Sequence, residues 1–118
     1  MPYNSRRVKR KDANHDQIKK HLSQIPGTYV QDTSATDLGY DLLVAYQGQL
    51  VPLEIKDSEK LPKKFWGMSP GEQIEYVKGL LTENEAKQKE NLSYANVRVR
   101  LVWDFESALR AIGFRGAY

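Results

Sequence analysis

Apolar residues recur along this chain at a spacing that switches several times between the helical and the extended period. Asp12 and Asn14 are helix-capping types, and Ile18, Leu22 and Ile25 follow at helical spacing, which predicts a helix stopped by Pro26-Gly27. Thr28–Thr33 reads as a short strand and 34–39 as a polar turn region. Asp41–Tyr46 and Gln49–Lys56 are two β-type runs with only Gln47-Gly48 between them, the spacing of a hairpin with a two-residue turn. The segment 58–67 is a polar, basic loop carrying Lys60, Lys63 and Lys64. Ser69 and Glu72 have capping-box spacing and Pro70 stands at the first helical position, so a helix starts there with Ile74, Val77 and Leu81 as its apolar stripe. The segment 82–96 is long and polar, a frayed helix end or a mobile loop. Val97–Val102 alternates as a strand does, and Asp104 caps a last helix with Phe105, Leu109 and Ile112 inward and Gly113 closing it. The expected order is α-β-β-β-α-β-α, an α/β (α+β) arrangement of a mixed sheet with a few flanking helices.

A chain of 118 residues suits one domain with its own core. It has no cysteine, which excludes disulfides, thiolate zinc sites and thiol nucleophiles. No apolar run approaches the roughly 20 residues of a membrane span, and the charged start is not followed by an apolar stretch. A soluble cytoplasmic protein is expected. The net charge of +3 is unevenly spread. Residues 1–11 hold Arg6, Arg7, Lys9, Arg10 and Lys11 and no acid, leaving the other 107 with 13 basic and 15 acidic groups. We therefore expect a basic arm over 1–11, solvated or lying along a phosphate backbone, and one domain over 12–118.

The hairpin carries the candidate chemistry. With Gln47-Gly48 as its turn, Asp41 falls opposite Glu54, and Lys56 shares their face because it is two residues on. Leu42, Val44, Val51, Leu53 and Ile55 take the other face. Opposed like charges destabilise a sheet, more so when buried. Either one carboxylate keeps a proton or a divalent cation lies between them. Two carboxylates, a backbone carbonyl and waters form a ligand set that Mg²⁺ prefers, and a lysine beside it suits phosphodiester hydrolysis. A salt-bridged surface hairpin is the plainer alternative. Pro52 cannot donate to a ladder, so a bulge there would shift Glu54 by one position. Glu85-Ala-Lys87 repeats the Glu-x-Lys spacing in a polar segment and reads as a solvated charge pattern. His15 and His21 read as surface residues of the first helix, and Asp37 and Asp57 as loop charges.

The residues Asp41-Leu-Leu-Val44, Gln47-Gly48 and Leu53-Glu-Ile-Lys-Asp57 resemble the core of the PD-(D/E)XK nucleases. The likeness is closest to small phage and prophage proteins related to VRR-NUC domains and Holliday junction resolvases. It extends to Arg10-Lys-Asp-Ala-Asn14, Gly39, Met68-Ser-Pro-Gly-Glu-Gln73 and Ser107-Ala-Leu-Arg-Ala-Ile-Gly113. The resemblance implies a restriction-endonuclease-like fold and a metal-dependent DNA endonuclease. Asp41 and Glu54 would bind Mg²⁺ or Mn²⁺ with the Ile55 carbonyl, Lys56 would be the catalytic lysine, and Gln73 would lie near the active site. Two positions depart from the family pattern. Tyr40 stands where proline is usual, and the first helix offers Gln17 where a glutamate is often found, with Asp16 or His15 as substitutes. Lys60, Lys63, Lys64 and the basic arm would contact the DNA backbone. Branched, junction-like DNA and a homodimer follow by analogy, with Phe65 and Trp66 as candidate interface aromatics. A non-catalytic nucleic-acid-binding module that keeps the fold is the alternative.

Overall fold

The computed structural model describes residues 14–115, and the basic arm with Arg6, Arg7, Lys9, Arg10 and Lys11 lies outside them. The elements run α1 (His15–Ser23), β1 (Thr28–Asp32), β2 (Leu42–Tyr46), β3 (Gln49–Ile55), two short 3-10 turns (Ser58–Lys60 and Lys63–Gly67), α2 (Pro70–Lys78), α3 (Glu83–Tyr94), β4 (Arg100–Val102) and α4 (Phe105–Ile112). The fold is thus mixed α/β, with one helix more than the pattern predicts. The sheet order is β1-β2-β3-β4; the first three strands are antiparallel and β4 runs parallel to β3.

The hairpin closes where expected. Gln47 and Gly48 both have positive φ, 49° and 79°, as a type I′ turn requires. The register runs from Tyr46 against Gln49 to Leu42 against Leu53. Pro52 lies opposite Leu43 in plain register, so the bulge it could have signalled does not form. Hydrogen-bonded and non-bonded pairs alternate from the turn, which puts Pro52 in a non-bonded pair. Pairing with β4 starts only at Leu53, so the missing N–H costs no ladder bond.

Alternation along the strands separates two cores. Leu42, Val44, Val51, Leu53 and Ile55 pack with Ile18, Leu22 and Ile25 from the first helical segment and Ala108 and Ile112 of α4. On the opposite face Leu61, Phe65, Val77, Leu101 and Trp103 form a second cluster. Each such Leu or Ile contributes about 1.5–3 kcal/mol by leaving water. The basic loop after β3 is therefore partly ordered by Leu61 and Phe65. Phe65 and Trp66 separate: Phe65 is fully buried, whereas Trp66 is half-exposed. Ile74 departs from the expected stripe of α2 and is also largely exposed, leaving Val77 as the buried anchor.

Three helices carry capping boxes: Ser69 with Glu72, Thr82 with Glu85, and Asp104 with Ser107. The second corrects the expectation of a frayed end or loop over 82–96. Α3 has no buried residue, so it lacks the apolar periodicity that reveals a helix. Its start is held by the Thr82 hydroxyl accepting from the Glu85 N–H and the Glu85 carboxylate accepting from the Thr82 N–H. Gly113, at φ 78°, ends α4 as predicted.

Candidate active site

The open end of the β2–β3 hairpin gathers the candidate acids. Asp41 and Glu54 are only 6% and 5% exposed. The ladder ends at Leu42 against Leu53, and Asp41 then departs from simple cross-strand pairing. Its N–H donates to the Leu53 carbonyl at 2.8 Å, and its carbonyl accepts from the Thr33 N–H at 2.9 Å. Its Oδ2 accepts from the Ile55 N–H at 2.8 Å. The expected directly opposed pair is therefore replaced by a carboxylate that takes the place of a backbone acceptor. The result still brings Asp41 to the residue between Glu54 and Lys56.

Lys56 leaves the end of β3, where its N–H donates to the Val102 carbonyl at 2.8 Å. Its ammonium lies 2.6 Å from Glu85 Oε1, with the side chains 16% and 25% exposed. Glu85 also borders the Glu54 side chain. Burial opposes charge on Glu85. The Lys56 hydrogen bond, the Thr82 N–H, Glu54 and the Lys56 charge together outweigh it and hold Glu85 below the usual carboxylate range. Glu85 is thus part of the site and not the solvated charge expected of the Glu85-Ala-Lys87 copy. Its signal was available: Thr82 and Glu85 have the same spacing as Ser69 and Glu72. The place it reaches was not, because nothing local says where α3 lies.

Α3 crosses close to the chain entering β2. Gly39 has φ 93°, and a Cβ built there would meet Gln88 Cβ at 3.1 Å. The gap bordered by Gly39, Glu54, Glu85 and Lys89 is packed too closely to hold a water molecule.

Asn14 was expected as a cap, but its side chain makes no capping bond. Its Nδ2 donates instead to the carbonyls of Lys56 (3.1 Å) and Trp103 (2.5 Å). It thereby clamps the chain leaving β3 to the chain leaving β4. Two acceptors fix the orientation of the amide, and its Oδ1 is buried with no hydrogen-bond partner among the described residues.

His15 is buried, contrary to the surface position expected of it. Its Nε2 lies 3.2 Å from Asp32 Oδ2, which also accepts from Lys19 Nζ at 3.3 Å. Asp32 Oδ1 accepts from the N–H and hydroxyl of Ser34. His21 is half-buried and meets the Phe105 ring edge-on at 5.3 Å between centroids. Among the described residues, His15, Asp16 and Asp32 form the one set of three such groups whose ligand atoms lie within 4.8 Å of one another. Asp41 and Glu54 do not belong to it. The donors at the hairpin end, two carboxylates and the carbonyl of Ile55, are nonetheless the hard oxygens that suit Mg²⁺ or Mn²⁺.

Gln73 is buried, but its Nε2 donates to the Phe65 carbonyl at 3.1 Å. No hydrogen bond among the described residues joins it to Asp41, Glu54 or Lys56. The geometry makes it the tie between α2 and the preceding 3-10 turn. Lys60, Lys63 and Lys64 are exposed on the turns after β3. Asp57 caps the first of these turns by accepting from the Glu59 N–H at 3.0 Å. No helix among the described residues is long and apolar enough to cross a membrane.

Comparison with known proteins finds no matching family model, no matching curated protein and no matching solved structure.

Proposed function

We propose that this protein is a metal-dependent DNA endonuclease of the PD-(D/E)XK kind, similar to the small phage VRR-NUC and Holliday junction resolvase-like enzymes. One observation carries the reading. Asp41 and Glu54, both almost closed to solvent, lie at the same end of the hairpin, and the Asp41 carboxylate bonds the Ile55 N–H of the Glu54-Ile-Lys56 strand. Burying two acids there costs desolvation free energy, which a cation held by both would offset. The sheet order, with β4 parallel to β3 beside the site, supports the same reading.

Asp41, Glu54 and the Ile55 carbonyl would hold Mg²⁺ or Mn²⁺, which supplies Lewis-acid stabilisation of a phosphate oxygen and a more acidic water. Lys56 contributes positive charge where negative charge grows during attack, the term from which such sites gain most. The exposed Lys60, Lys63 and Lys64 offer contacts that give affinity without reading sequence. Cleavage selective for branched DNA, and a homodimer, belong to the same reading.

A second reading has its own observation. Lys56 is engaged by Glu85, and the gap at Glu54 admits no water, which fits a nucleic-acid-binding module that keeps the fold without the reaction. One experiment separates the two. Linear, nicked, flapped and four-way-junction DNA are incubated with the protein in Mg²⁺ or Mn²⁺, alongside Lys56→Ala and Asp41→Asn. The nuclease reading expects cleavage by the wild type only, with binding retained by Lys56→Ala. Binding without cleavage by the wild type selects the module, and equal cleavage by all three proteins puts the activity elsewhere.

A further inference from the structure

A groove with a cavity volume of about 430 Å³ runs beside β4, between α2, α3 and α4. Five cations border it: Lys78, Lys89, Arg98, Arg100 and Arg110. Glu75 is the one acid on its walls. Residues 14–115 hold 13 basic and 14 acidic groups in all, so this is a concentration of charge. Among the described residues Lys78, Lys89, Arg98 and Arg100 have no carboxylate partner, and Arg110 has only a loose 3.9 Å pair with the exposed Glu106. Uncompensated cations along a concave wall focus the potential and attract a polyanion.

The groove also leads somewhere. Lys89, Val99 and Leu101 border both this cavity and the packed gap at Glu54 and Glu85. Lys89 stands one turn beyond Glu85 on α3, on the stripe of that helix that is only half-exposed. The floor is apolar, built on Leu101 and Trp103 of the second core cluster.

We propose that this groove is the seat of a nucleic-acid strand, its phosphates along Lys89, Arg98 and Arg100, leading to Glu54 and Lys56. The inference rests on the nuclease reading for its destination, but the binding surface stands on the charge and shape of the groove. It differs from the surface expected from the sequence, which comprised the arm and the lysines of the 58–67 segment. Charge complementarity excludes an apolar or basic occupant. An acidic peptide remains the competitor that the test must separate.

The test is binding of short fluorescein-labelled single-stranded and duplex DNA, followed by anisotropy in EDTA across a salt series. Lys89→Gln, Arg98→Gln and Arg100→Gln are compared with Lys20→Gln, an exposed α1 lysine that loses the same charge outside the groove. Thermal melts establish that each variant is folded. Each groove variant should weaken binding severalfold at low salt and flatten the log–log salt dependence by about 0.7–0.9, the value of one phosphate contact. Lys20→Gln should do neither. Groove variants that track Lys20→Gln, absence of binding by the wild type, or equal displacement of DNA by polyglutamate would each overturn the proposal. Failure of the nuclease reading looks different: binding through the groove persists while Mg²⁺ yields no cleavage. Cleavage unaffected by the groove variants would sink the groove and leave the nuclease.

Discussion

Asn14 shows how far a single residue can depart from its local reading. Its type and position announce a helix cap, yet its amide spans to Lys56 and Trp103, 42 and 89 residues away in sequence. The cost is an oxygen buried without a partner among the described residues. Removing the amide leaves two carbonyls short of a donor, so Asn14→Ala should lose about 1–3 kcal/mol in urea unfolding. Asn14→Asp should lose more, because a carboxylate would face the same two carbonyls. A loss below a few tenths of a kcal/mol would mean that the clamp contributes nothing. That Asp41 and Glu54 lie at the same end of the hairpin was legible, because a two-residue turn fixes the register of the strands. The detail that Asp41 bonds Ile55 through its side chain was not, since it depends on the chain leaving the ladder after Leu42.

At the scale of elements, the hairpin, α2 and α4 were readable from alternation, a turn dipeptide and caps. Α3 was hidden because its sequence buries nothing, and only its cap announces it. That cap and the one on α2 make the helix starts sensitive to acid. Glu72 is held below its ordinary 4.5 by the Ser69 N–H and then the Ser69 hydroxyl. Glu85 is held below the same value by Lys56 and Thr82 against the opposing effect of burial. A carboxyl lowered by folding stabilises fully above its unfolded value, and that stabilisation fades as pH falls through the folded value. The amides at the starts of α2 and α3 should therefore exchange faster as pH drops below about 4.5, after correction for intrinsic rates. In Lys56→Met the Glu85 carboxyl should titrate higher by NMR. An unmoved titration would show that the ion pair is not formed in solution.

For the whole molecule, the two-faced sheet was the most legible feature and the placement of charge the least. Periodicity assigns Leu53 and Ile55 to one face and Glu54 to the other, where Leu101, its partner in β4, joins the second cluster. Leu53 is completely buried in the first cluster, so Leu53→Ala should cost about 2–5 kcal/mol, measured as a fall in the urea midpoint at unchanged slope. A cost under 1 kcal/mol would require that the core collapse around the missing atoms. The cations of the β4 groove come from four separate stretches of sequence, Lys78, Lys89, the Arg98-Val-Arg100 run and Arg110, and no window of sequence contains them together. The basic run at 1–11, by contrast, is contiguous in sequence. Surface electrostatics belongs to the folded object, and composition counts it without locating it.

The tight turn at Gln47–Gly48 has a practical use. It closes the hairpin five residue pairs from the end that holds the acids, roughly 17 Å along the strands. Gln49 is exposed beside it, and the chain contains no thiol of its own. One cysteine introduced at Gln49 would therefore be a unique attachment point for a dye, able to report rotational slowing as a partner docks while leaving the far end of the ribbon untouched.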